Sequence, residues 1–522
     1  MAEENRRLLS RRRLLQGAGA AAVGGVLLRR MTDSPGGDGG STTQAGAALG
    51  RTSQGGGAGT PTAHGAPLRG IDQTSEDRQR EGRFGLMFKR LDAFRPSDAL
   101  LSGLAAAMID RTTGAATHLD NPDIPAGYTF LGQFLDHDIT MDRTPLEQQQ
   151  RDPKALTQYR TPRYDLDSVY GGGPGVSPEL YDPQNRAKLR LGGGNGMPED
   201  LPRTPEGKAI IGDPRNDENL LVAQIHAAFL KFHNRLVDHL GGGDVFAEAQ
   251  RLARWHWQWV VVHDFLPRIV DPAVLGTILE EPAGRPARAR LEFYKPKNPN
   301  RPMLPVEHAV AAYRFGHSMI RGKYTVGPPG ASRTVSIFGP QAGLDNLNAG
   351  RPLPRELVMD WKAFYEYPGS PPAQKARLID TVISAPLYEM PNPPPPDTMR
   401  SLAERNLLRG SRVGLASGQE VARAMGIDPL SNAELGMPAD RGWRGQAPLW
   451  FYVLKEAELL EGGRRLGPVG GRIVAEVLVG LLAYDKDSYL SKKADFRPEP
   501  PIAPAPGRFT MPDVLRFAGV AY

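Results

Sequence analysis

"LGQFLDHDIT", residues 131–140, sets Gln133, Asp136, His137 and Asp138 among Leu131, Phe134, Leu135 and Ile139. At about 100° per residue on a helical wheel, Leu131, Leu135 and Ile139 share one side. Gln133, Asp136 and His137 fall on the opposite side at i, i+3 and i+4. Asp138 lies about 100° round from His137. The pattern predicts a helix over 127–141 whose apolar side faces a core. One polar residue in such a helix reads as a satisfied core group. Four within six positions read as a helix serving two sites, one for Gln133, Asp136 and His137 and another for Asp138.

The surrounding sequence continues the helical theme. Residues 217–240 place Leu221, Ile225, Ala228, Phe229, Phe232 and Leu236 on one face at helical spacing. Residues 246–266, 306–321, 448–461 and 470–483 are patterned as helices too, and alternating strand patterns are scarce. The predicted class is mainly α: one large helical domain with long irregular loops and little β. Residues 143–216 are rich in Gly, Pro, Asp and Arg and read as loop with short pieces of structure. Residues 284–305 and 366–398 are Pro-rich connections. "GGGPG" (171–175) and "GGGNG" (192–196) neither follow an apolar strand nor open a helix, so they read as turns rather than phosphate loops.

The 522 residues are 40% hydrophobic and 23% charged, ample for a sizeable core. The net charge of +6 is concentrated at one end: residues 1–31 hold seven Arg against two Glu, leaving the remainder near neutral. No basic footprint calls for nucleic acid. Cysteine is absent, which excludes disulfides, thiolate metal sites, iron–sulfur clusters and cysteine nucleophiles. "SRRRLLQ" before "GAGAAAVGGVLL" resembles a twin-arginine export signal, with Arg11 and Arg12 as the pair. It implies passage through the export machinery to a periplasmic, cell-surface or extracellular location. The expected organisation is a signal over 1–31, a Gly/Ser/Thr/Pro-rich linker over 32–75 without a fold of its own, and a catalytic-size domain over 76–522, ordered from near residue 84.

Three further segments carry chemistry. "TPRYDLD" (161–167) sets Asp165 and Asp167 near Thr161. Carboxylates with hydroxyl and carbonyl oxygens are the ligand set of a hard cation, usually Ca²⁺. The spacing is not that of an EF-hand loop, and a solvated Asp-rich turn reads equally well. "GDPRNDEN" (212–219) puts Arg215 and Glu218 just before a long helix, and "YRFGHSMIR" (313–321) puts His317 beside Gly316 in an apolar helix. A glycine there leaves room for something flat to approach.

From about residue 84 to the C-terminus these segments, with "FHNRL", "RNLLRGSRVGLASGQ", "GLLAYDKDSYL" and "FTMPDVLRFAG", resemble the animal-type haem peroxidases, the myeloperoxidase-like superfamily and its bacterial branch. The resemblance implies a haem-dependent enzyme that reduces H₂O₂ and oxidises small organic donors or halides. It implies His137 as distal base, Arg215 as stabiliser of charge on the departing oxygen, and Gln133 as a hydrogen-bonding partner of distal water or ligand. His317 would be the proximal iron ligand, with Asn406 accepting from its other nitrogen. Arg409 fits a haem-propionate position, and Arg314 a supporting proximal one. Asp136 and Glu218 match the carboxylates that form esters with haem in mammalian members. Asn219 stands where a sulfonium-linked Met would be, so that third link is not expected. Asp138, Thr161, Arg163 through its carbonyl, Asp165 and Asp167 fit the family's Ca²⁺ site. Asp167 replaces a Ser common in mammalian members.

His226, His233, His256 and His263 read as core or helix-end histidines. His64, His118, His239 and His308 lack a ligand-like pattern. No HExxH or GxSxG occurs. Two other functions compete with this one. In a fatty-acid dioxygenase of the cyclooxygenase-like branch a radical-forming Tyr stands three residues before the proximal His; here that position is Arg314, and Tyr313 is four before. A non-catalytic exported calcium-binding module would have lost His137, Arg215 or His317, and all are present. The donor and the oligomeric state have no signal in the sequence.

Overall fold

Helix α2 (Gly127–Ile139) follows α1 (Asp98–Ala107) in the chain. Its Leu131, Leu135 and Ile139 are all 1% exposed or less, as the wheel predicts. Phe134 stacks on Phe229 at 4.9 Å and meets Trp257 edge-on at 5.6 Å. Burying each such side chain stabilises the fold by about 1.5–3 kcal/mol. Phe229 belongs to α3 (Leu220–Leu240) and Trp257 to α4 (Phe246–Val260), so these two helices form the wall behind α2. The predicted face of α3, from Leu221 to Leu236, is buried throughout. Asn219 caps α3 by accepting from the Val222 amide, and Gly241 with φ +64° ends it. Helices α5 (Leu402–Arg412), α6 (Leu449–Glu461) and α7 (Pro468–Tyr484) pack around residues 307–317, α6 lying against both α5 and α7.

This computed structural model describes residues 71–72, 84–111, 119–142, 158–194, 196–241, 245–281, 287–300, 302–390, 399–437, 442–443 and 445–520. All of them fall in one compact unit. The mainly α prediction holds. Among the described residues the sheets are short, the largest being three two-residue parallel strands. The export-signal reading and His64 and His118 lie outside the described residues, as does all but the end of the linker reading. At that end, Ile71–Asp72 pairs in parallel with Phe84–Gly85. A two-residue strand is too short to leave an alternating pattern. No helix among the described residues is long and apolar enough to cross a membrane.

The helix expected over 306–321 is wound differently. Glu307–Ala311 is a π turn, in which the Ala312 amide reaches the Glu307 and His308 carbonyls, and Ala312–His317 is a 3₁₀ turn. Ala311, at φ −127° and ψ −77°, breaks the winding between them. Buried Glu307 accepts from the Met87 and Phe88 amides, tying the turn to the start of the domain. Apolar periodicity over so few residues cannot separate these windings from an α-helix.

A buried ionic clasp joins three segments at the C-terminal end of α2. Asp213, fully buried, accepts from Arg160 at 2.8 Å and from Arg215 at 2.7 Å. Arg215 also donates to the His137 carbonyl at 3.1 Å and to that of Thr140. Burial by itself would raise the Asp213 pKa. The two guanidinium groups outweigh it and hold the carboxyl far below the usual carboxylate range.

Asp213→Asn, which leaves both guanidinium groups without their counter-ion, is expected to cost about 3–5 kcal/mol in urea unfolding. Because the folded-state pKa is depressed, the wild-type advantage is complete above the unfolded carboxylate pKa of about 3.9 and shrinks as pH falls below it. A difference that instead grows toward acid would contradict the assignment. Gly127 opens α2 against Tyr365, and a Cβ there would also stand 2.7 Å from the Phe364 carbonyl. Gly127→Ala should destabilise by about 1–3 kcal/mol in the same assay.

Candidate functional site

His137 is buried and neutral: burial first, then the Arg215 charge, lowers its pKa to about 3. Its Nδ1 donates to Asn216 Oδ1 at 2.7 Å. Gln133, one turn back on the same face of α2, accepts through Oε1 from Asn219 at 3.1 Å. The face that was to serve one site therefore meets one segment, residues 216–219. Asp136 completes that face. Burial raises its pKa, opposed by Arg215 and Arg314.

Glu218 is exposed at its surface, yet the protein around its carboxyl raises its pKa to about 7. The opposing charges acting on it are those of Arg215 and Arg405, with Asp213 and Asp136 raising it. Arg215 is part of the same group, but its guanidinium is directed onto Asp213 and the α2 carbonyls.

On the facing wall, His317 ends the 3₁₀ turn. Burial, with Arg314 and Arg405, lowers its pKa to about 3, leaving a neutral imidazole. Asn406 of α5, fully buried, lies 2.8 Å from His317 Nδ1. The pairing is the expected one, but its polarity is reversed. Arg314, which can only donate, takes Asn406 Oδ1 at 2.7 Å, so the Asn406 amide nitrogen is the atom facing Nδ1. Arg314 is thus the group that orients Asn406. Arg409 is paired with Asp142 at 3.2 Å, just past the end of α2. The two walls touch where the Tyr313 hydroxyl donates to the Gly132 carbonyl at 3.1 Å. A Cβ on Gly316 would meet no atom within 4 Å.

The second face of α2 leads elsewhere. Asp138 is buried and its Oδ2 accepts from Trp257 at 2.9 Å. Burial raises its pKa well above normal, and the charges of Asp165 and Asp167 add to that against the Trp257 bond. Asp165 and Asp167 are buried and flank Leu166, the one non-glycine residue with positive φ among the described residues, at +54°. A branched side chain held there is strained, which pins the loop in one shape. Asp138 Oδ1, Thr161 Oγ1 and Ser168 Oγ are buried without a hydrogen-bond partner. The Arg163 amide donates to the Thr161 carbonyl at 2.8 Å. Among the described residues no three acidic or histidine side chains close on one point as a finished cage.

Sequence reading missed Asp213, Asn216, Arg160, Trp257 and Arg405. Asp213 and Asn216 flank Arg215 in "GDPRNDEN", and Arg160 directly precedes "TPRYDLD". Their proximity to named residues was the available signal. Their partners are set by tertiary contact.

Residues 123–434 match the family model described as animal haem peroxidase. The chain is 26% identical over 380 residues to chorion peroxidase of Aedes aegypti, covering 66% of this chain and 43% of that one. It thus spans less than half the length of that relative. In fold it is similar to peroxidase A from Dictyostelium discoideum, with a TM-score of 0.57 at 14% identity, over 89% of this chain and 95% of that one. It is also similar to fatty acid alpha-dioxygenase of Arabidopsis thaliana, with a TM-score of 0.54 at 14% identity, over 89% and 79%. With a family match over more than half its length and both histidine walls assembled, the chain belongs to the animal haem peroxidase family.

Proposed function

We propose that this protein is a haem-dependent peroxidase that reduces H₂O₂ and oxidises small organic donors or halides. The observation that supports the reading is a pair of neutral histidines, His137 held by Asn216 and His317 held by Asn406, on two segments joined where the Tyr313 hydroxyl meets the Gly132 carbonyl. Bound haem would supply the redox chemistry. The charged groups Asp136, Arg215, Glu218 and Arg314, which act on one another electrostatically, and the open space at Gly316 suit such a group. His317 would hold the iron through Nε2, which requires its proton on Nδ1 and the Asn406 oxygen, shared with Arg314, turned toward it, and Arg409, with Arg314 nearby, would meet the propionates. Asp136 and Glu218 would provide ester links.

His137 takes the proton of peroxide at Nε2 and returns it to the departing oxygen. Arg215 contributes its positive charge beside that transfer, held in place by Asp213. Gln133, steadied by Asn219, hydrogen-bonds water or peroxide next to His137. The dioxygenase reading is weaker, because Arg314 occupies the radical-tyrosine position and is engaged with Asn406.

Calcium belongs to the same proposal. The unpartnered oxygens of Asp138 and Thr161 support an oxygen-rich cation site with Asp165, Asp167 and the Arg163 carbonyl. The organisation proposed is a twin-arginine-type signal over 1–31, a linker over 32–75 and the haem domain over 76–522, acting after export.

The full chain loaded with haem should show a Soret band that shifts within milliseconds of adding H₂O₂ and returns with a phenolic donor. His137→Ala should slow the first step by about 10²–10⁴-fold. A Soret band indifferent to peroxide would rule out the peroxidase reading. For calcium, EDTA should lower the thermal midpoint, with Ca²⁺ at about 100 times its Kd restoring roughly 2.7 kcal/mol. Asp138→Asn should erase that response. A wild-type midpoint that ignores both EDTA and Ca²⁺ would remove calcium from the proposal.

A further inference from the structure

A chain of three buried side chains runs back from the distal wall. His137 Nδ1 meets Asn216 Oδ1 at 2.7 Å, and Asn216 Nδ2 meets His226 Nδ1 at 2.9 Å. Asn216 and His226 are fully buried and His137 is 5% exposed, so water cannot substitute for any partner. Asn216 comes from the 3₁₀ turn Pro214–Asp217 and His226 from the second turn of α3. The cap at Asn219 folds these two segments together.

An amide oxygen only accepts, so the ring nitrogen facing it must carry the proton. With Nδ1 protonated, the neutral His137 ring has its lone pair on Nε2. With the other tautomer, Nε2 would carry a proton and could accept none. Asn216 has an oxygen and an NH₂ group that could exchange places by a half-turn of the amide. In the structure the NH₂ end faces His226 Nδ1 and the oxygen faces His137, so His226 accepts through Nδ1 and carries its proton on Nε2, which is buried without a hydrogen-bond partner. Charged neighbours do not supply this selection. Arg215, Asp213 and Arg160 act on His137 through their charges, and none of them is the partner of Nδ1.

We propose that Asn216 is a positioning residue that fixes the tautomer of His137, with His226 as the partner of its other end. This rests on the reading of His137 as the base. Asn216 touches neither peroxide nor haem in this scheme and acts only through His137. It also gives buried His226 a role beyond filling the core.

The test uses the full chain loaded with haem. Two rates are followed by absorbance: reaction with H₂O₂, and association of cyanide, which enters as HCN and gives its proton to the same Nε2. Asn216→Leu keeps the volume and removes both hydrogen bonds. Asn216→Asp keeps an oxygen toward Nδ1. Asn216→Leu is expected to slow both rates by about 10–100-fold at unchanged haem content. Asn216→Asp is expected to recover to within a few-fold of wild type. A merely structural asparagine predicts the opposite order, since a buried aspartate is costlier than a leucine. If Asn216→Leu fails to take up haem, Asn216→Ala takes its place in the comparison. His137→Gln, run alongside, separates the two levels. Asn216→Leu within twofold of wild type while His137→Gln is slow would overturn the positioning role alone, as would Asn216→Asp as slow as Asn216→Leu. If His137→Gln itself keeps wild-type rates, the base assignment falls and the positioning role with it.

Discussion

The carboxylate of Asp213 is the point through which the distal side of this domain is tied together. It is buried between Arg160 and Arg215. Arg160 stands at the start of the loop that carries Thr161, Asp165 and Asp167. Arg215 ends on the carbonyls of His137 and Thr140. Gly212, next to Asp213, donates to the Ser168 carbonyl at 2.9 Å, and a Cβ on it would lie 2.5 Å from the Asp167 carbonyl. The oxygen-rich loop, the arginine turn and the histidine helix are therefore one mechanical assembly. A buried ion pair of this kind gains little over apolar packing, yet loses heavily when one member is removed. Its presence here is better understood as fixing geometry than as adding stability.

The sequence made some of this legible because helical periodicity carries it. The wheel over 131–140 assigned Leu131, Leu135 and Ile139 to the core and separated His137 from Asp138. The structure joins the first to Asn216 and the second to Trp257. Helix α3 and its buried face were equally readable. What periodicity cannot carry is the choice of partner. Arg160 and Asp213 are 53 residues apart, and Asn406 reaches His317 across 89. Nor does residue type fix hydrogen-bond direction. Asn406 was expected to accept from His317, and it turns its amide there because Arg314 occupies the oxygen. The π and 3₁₀ windings before His317 were missed because apolar residues in so short a segment fit several pitches.

Similarity in fold to both a peroxidase and a fatty acid alpha-dioxygenase shows how little of the scaffold distinguishes chemistry. In the function proposed above, the distinction rests on the position three residues before His317. Here Arg314 faces Asn406, while the Tyr313 hydroxyl is spent on a backbone carbonyl of the distal helix and its ring stacks on His308 at 4.8 Å. A tyrosine used as a strut between two walls is held in place by the same bond that occupies its oxygen.

The π turn at Glu307–Ala311 has a geometric consequence. It contains one residue more than an α-helical turn would, inserted just ahead of His317. Deleting a single residue there would restore ordinary helix and rotate everything after it by about 100°. His317 would leave Asn406, and Arg314 would turn away with it. The direction in which His317 points thus depends on the number of residues between Glu307 and His317 and not only on which residues they are.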